Sequence, residues 1–120
     1  MISNENISKE YALEVGMFLA VIAWMDEDLD DREVDYIYKM VESFGELTEF
    51  EIWKIKYQLA YPHHEEELIN RLNYLVNKTK FNRERKFALG TLEEFISIDG
   101  KVWENEQKVY DMLLDQFYQK

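Results

Sequence analysis

The chain has 120 residues, 47% of them apolar and 18 aromatic, and sets 14 Lys and Arg against 25 Asp and Glu for a formal net charge of -11 at pH 7. That length suits one domain burying about two thirds of its unfolded surface, and the composition argues against intrinsic disorder. The charge disfavours phosphate backbones and anionic lipid, while the lack of cysteine removes disulfide frameworks, thiolate chemistry and most structural zinc sites.

The start, Met1-Ile-Ser-Asn-Glu5, is unlike a secretory signal, and the longest apolar run, 15–25, has 11 residues, too few to span a bilayer. A cytoplasmic protein with no transmembrane segment and no nucleic-acid partner is expected. Pro62 is the only proline, the four glycines are isolated, and apolar residues recur at three- and four-residue spacings. This pattern predicts an all-α domain.

A first helix is expected over 8–25, apolar on every side in its second half and therefore central. The second, over 30–44, places Ile37, Met40, Val41 and Phe44 on one face and ends at Gly45, suited to a left-handed C′ position. Thr48 and Glu51 read as a capping box opening a third helix, with Trp53, Ile55, Tyr57 and Leu59 as apolar candidates before the break at Tyr61-Pro62. A fourth helix runs to about Thr79. Asn82 is a plausible N-cap for a fifth through Ile98, and a sixth follows over 104–118. The prediction is one compact bundle of about six or seven helices covering 1–120.

Offsetting the sequence by 73 residues aligns the first helix pair with the last. Asp26-Glu-Asp-Leu29-Asp-Asp-Arg-Glu33 then lies over Asp99-Gly-Lys-Val102-Trp-Glu-Asn-Glu106, so both read Asp, two residues, an aliphatic, three residues, Glu. Met40/Leu113, Val41/Leu114 and Phe44/Phe117 coincide as well. The halves, about 8–44 and 82–117, read as two pseudo-repeated helical hairpins, each with an acidic bend and an acidic first turn after it.

The paired motif, Asp-Gly-x-aliphatic-x-x-x-Glu after a helix ending in an apolar residue, resembles that of the tellurite-resistance TerB family and its TerB-like relatives. Ile98-Asp99-Gly100-Lys101-Val102 to Glu106 matches it, and Met25 to Glu33 matches with Glu27 in place of the glycine. The likeness covers most of the chain, from about Tyr11 to Phe117. It implies an all-helical fold, a bacterial stress-response setting and a metal-binding role for Asp26, Glu33, Asp99 and Glu106.

Read from the residues alone, the acidic repeat has two accounts. In the first, Asp30 caps the second helix with Glu33 three residues on, Leu29 and Val34 have the spacing of a hydrophobic staple, and the acids meet the positive end of the helix dipole. That account weakens in the second copy, where Trp103 is a poor cap and Gln107 completes no staple. In the second account the bends share a cation, and the all-oxygen donor set suits calcium, magnesium or manganese. Asp26, Asp28 and Asp30 are spaced like the first ligands of an EF-hand, but Asp31 and Ile37 stand where that loop needs glycine and a bidentate glutamate.

Other features carry less. His63-His64 lacks the four-residue spacing of a helical zinc pair. Lys78, Lys80, Arg83, Arg85 and Lys86 form a locally basic junction, read as a solvated face or as a dock for an acidic partner. Trp24 and Trp53 are expected in the core, with Trp103 the exception at the motif bend. No nucleophile elbow, phosphate loop or metalloprotease motif is present, so the chain reads as non-enzymatic. The expected function is a stress-associated, tellurite-resistance-like helical module binding a divalent cation through its acidic bends. The alternative is a metal-free protein–protein interaction module whose acids only cap helices, and a small metal-dependent hydrolase is the third reading.

Overall fold

Ser8 opens the first helix by accepting the backbone N–H of Tyr11 on its hydroxyl at 3.0 Å. The computed structural model describes residues 7–24, 30–60, 64–98 and 104–118. Among these the elements are α1 (Lys9–Ile22), α2 (Asp31–Glu42), α3 (Glu49–Leu59), α4 (Glu65–Lys78), α5 (Asn82–Ile96) and α6 (Glu104–Tyr118), with no strand. The Cα radius of gyration, 13.2 Å, is close to the ~14 Å expected of one domain this long. No helix among the described residues is long and apolar enough to cross a membrane.

Every residue of α1 except Lys9, Glu10 and Glu14 is buried. A helix apolar all round has to be enclosed, and α2, α3, α4 and α5 all pack on it. Side chains from several helices, including Phe18, Leu19, Ile22, Ile37, Ile55, Leu72, Leu75, Leu92, Phe95 and Leu113, complete the core with less than 2% exposure each. Gly16 sets the approach of α2, since a Cβ there would stand 2.8 Å from Cγ2 of the buried Val41.

Cross-links fix the directions of the helices. Lys9, at the start of α1, donates to the Glu46 carbonyl and to Glu51 Oε1, both at 3.0 Å, so the end of α2 lies beside the start of α1. The Tyr11 hydroxyl lies 2.6 Å from Thr79 Oγ1 and 3.3 Å from the Glu84 carbonyl, which brings the start of α5 to the same end. Phe44 meets Phe87 edge-on at 5.2 Å. At the opposite end Tyr36 donates to Glu94 Oε2 at 2.7 Å and packs 6.1 Å from Phe95. Tyr118 returns to Asn82 at 3.4 Å. Hence α1 and α5 run in the same sense and α2 and α6 run against them, so that α1 and α5 end, and α2 and α6 begin, at one end of the bundle. The starts of α1 and α5, and those of α2 and α6, are each 73 residues apart.

Several expectations change. α2 ends at Glu42 and tightens through Phe44 N–H to Val41 O and Gly45 N–H to Glu42 O. Gly45 has φ +149°, a positive value that side-chain-bearing residues rarely adopt, as its place after α2 requires of a glycine. Asn82 is the first residue of α5, not its cap; Phe81 occupies the cap position, and Glu84 Oε1 accepts the N–H groups of Lys80 and Phe81. Thr48 and Glu51 do form the expected reciprocal box. In α3 only Ile55 is buried, while Trp53 and Tyr57 are more than half exposed. Trp24 is half-buried and donates its indole N–H to the Leu59 carbonyl at 2.8 Å, tying the end of α1 to the end of α3. Leu114 is exposed where its counterpart Val41 is buried, because α6 buries Val109, Leu113 and Phe117 instead.

Overpacking the α1–α2 crossing tests this architecture. Val41 is β-branched and stiff in a helix, so Gly16→Leu is expected to lower the unfolding free energy by about 1–3 kcal/mol, read as a drop in the urea midpoint.

Candidate functional site

Of the four motif acids, Asp26 and Asp99 lie outside the described residues, as do Leu29 and Trp103. Glu33 and Glu106 are described, and each falls in the first turn of the second helix of its hairpin. Both are only 6% exposed in a chain whose other acids are mostly solvated. Taking a carboxylate from water costs several kcal/mol unless charge or hydrogen bonds compensate. Neither residue is without a partner.

Equivalence under the 73-residue offset thus extends from residue type to helix position and burial. The shared direction of the hairpins places both first turns at one end of the bundle. There the Tyr36 hydroxyl, one turn beyond Glu33, reaches Glu94 near the end of α5.

Asp30 has a separate role. It caps α2 by accepting the Arg32 backbone N–H at 2.8 Å and also takes the Arg32 guanidinium at 2.8 and 3.2 Å. These bonds, chiefly the one from the Arg32 side chain, hold its pKa below the usual aspartate value. Capping therefore explains Asp30. It does not by itself explain why Glu33 is buried, since the capping glutamates Glu51 and Glu84 do the same work while only half-buried. The described residues by themselves hold no group of three or more His, Cys, Asp or Glu arranged for a metal ion. His64 is exposed at the start of α4, and His63 lies outside the described residues.

A second site was not foreseen from the sequence. Glu14 projects from α1 toward α4, where Arg71 Nη1 lies 3.6 Å from Oε2. Burial raises its pKa, opposed by the attraction of Arg71, then Lys78 and Lys54. Beside this pair an open groove of about 350 Å³ runs between α3 and α4, lined by Val21, Tyr57, Gln58, Glu67, Asn70, Arg71 and Tyr74. The signal in the sequence was slight: Glu14 stands among apolar residues beyond the first turn of α1, where an acid calls for a cation, and Arg71 follows 57 residues later.

Because the native state holds the Glu14 proton more tightly than the unfolded chain, this residue costs stability as pH rises from its ordinary value of 4.5 through the raised native one. Glu14→Gln is therefore expected to gain on the wild type as pH goes from about 4.5 to about 7, measured as the difference in urea unfolding free energies. Comparison with protein-family models, with curated proteins and with solved structures finds no match to this chain.

Proposed function

We propose that the chain is a non-enzymatic, TerB-like helical module of the bacterial stress-response type that binds a divalent cation between its two acidic bends. Asp26, Glu33, Asp99 and Glu106 are the ligands in this reading. One observation carries it: Glu33 and Glu106, matched in the repeat, are both buried in the first turn after a bend, at the same end of the bundle. A cation shared by two glutamates withdrawn from water at equivalent places would add to the partners each already has in offsetting the cost of burial. Hard carboxylate oxygens suit calcium, magnesium or manganese. Positive potential from the N-termini of α2 and α6 adds to the stabilisation of the acids whether or not metal is present.

The second reading is a metal-free interaction module in which the acids serve the helices alone. Its support is Asp30, whose carboxylate is taken up by capping and by Arg32.

Titration with calcium, magnesium and manganese, read by calorimetry and by the shift in Tm, separates the two. The cation reading expects saturable binding that stabilises the fold and is abolished in both Asp26→Ala and Asp99→Ala. Glu106→Gln is expected to weaken binding by at least about tenfold, in line with loss of a charged ligand. Absence of heat and of any Tm shift at about millimolar metal, within the range of weak oxygen-ligand sites, would leave the metal-free module standing.

A further inference from the structure

Phe50, Trp53 and Tyr57 stand on one face of α3 at 62, 56 and 53% exposure. Their rings form a continuous row: Phe50 and Trp53 stack at 6.0 Å with 10° between planes, and Trp53 and Tyr57 follow at 5.5 Å and 35°. Tyr74 of α4, itself 45% exposed, shares with Tyr57 the groove between the helices. Single exposed apolar residues are ordinary, but a contiguous run of large aromatics marks a surface that something covers.

Charge identifies the covering chemistry. Lys54 Nζ lies 4.7 Å from the Phe50 ring centre, and Arg71 and Lys78 lie 5.6 and 5.4 Å from that of Tyr74. All three cations also attract Glu14, so they converge on one region at the junction of α1, α3 and α4. The chain as a whole carries -11, and the groove lining includes one acid, Glu67, which accepts the His64 backbone N–H at 3.4 Å at the start of α4, while Lys54 and Lys78 flank the aromatic rings. Arg71 is committed to Glu14, leaving Lys54 and Lys78 as the cations beside the aromatic row.

We propose that the α3–α4 face docks an acidic segment of another protein, its carboxylates meeting Lys54 and Lys78 and its large apolar side chains meeting Trp53, Tyr57 and Tyr74. Single-stranded nucleic acid also uses aromatic stacking with cations. It would, however, spread a charge at every nucleotide across a surface that is acidic beyond this patch, whereas a peptide places a few carboxylates only where the lysines stand. The groove volume, about 350 Å³, is at the small end for a cofactor site and suits protruding side chains. This surface deepens the metal-free reading by naming a face and a partner class, and it needs no cation at the acidic bends.

The test uses three fluorescein-labelled probes titrated with the full chain in EDTA and read by anisotropy. They are a peptide with Leu and Phe at i, i+3, i+4 and i+7 and Glu between them, the same peptide with Lys for Glu, and a thymine oligonucleotide. The acidic peptide is expected to saturate below about 1 mM, the weak end of measurable docking. Trp53→Ala and the double variant Lys54→Glu/Lys78→Glu are each expected to weaken it by at least about tenfold, as removal of an anchor does. Trp53 and Lys78 are exposed and Lys54 is half-buried, and far-UV circular dichroism verifies that the variants remain helical. The proposal is overturned by failure of the acidic peptide to saturate, by equal or tighter binding of the lysine peptide or the oligonucleotide, or by indifference to both variants. It is equally overturned if sedimentation shows the chain covering this face with a second copy, reversed by Trp53→Ala. Cation titration of EDTA-free portions of the same protein keeps the outcomes apart, because a failed peptide beside bound metal removes this surface alone.

Discussion

A helix without a polar side leaves the rest of the chain with one requirement, which is to surround it. α1 is such a helix, interrupted only by Glu14 after its first turn. Water excluded from all its faces is the largest favourable term available to a domain of this size, and the packing of α2, α3, α4 and α5 around α1 satisfies it. Gly16 admits Val41 close to the α1 backbone, and Trp24 anchors the end of α1 to α3. The enclosing helices have little freedom in direction once Lys9, Tyr11 and Tyr36 have made their polar contacts.

Enclosure of α1 has a consequence for charge. With α1 and α5 running in the same sense, both end where α2 and α6 begin. Glu33 and Glu106 then begin their helices under similar cover, at matching burial. The two copies are not identical in packing, since α2 turns Val41 inward while α6 exposes Leu114 and buries Leu113 and Phe117. The glutamates keep their equivalence while the apolar faces drift apart, which sets them apart from residues placed by packing alone.

The middle helices answer to a looser requirement. α3 needs only Ile55 to complete its side of the core, so its remaining aromatics stay at the surface, stacked on one another. Glu14 repeats the logic of buried charge on a smaller scale, drawing Arg71 inward and gathering Lys54 and Lys78 around it. An acidic molecule thereby gathers three cations beside an exposed aromatic row.

The all-helical class and the helix order were legible in the residues because caps and hydrophobic spacing are local: Ser8, Asp30 and the Thr48–Glu51 box each act within a few residues of themselves. The 73-residue offset was likewise visible in composition before any coordinates. Local pattern misled where a neighbour took over the task, as when Glu84 relieved Asn82 of capping α5, and where a narrow buried stripe left Trp53 and Tyr57 outside. Burial of Glu33 and Glu106, the convergence of three cations on Glu14 and the common end of the two helix pairs arise from residues far apart in the chain. Spacing along a chain determines which side of a helix a residue occupies, but only the packing of whole helices decides whether that side meets water, protein or charge.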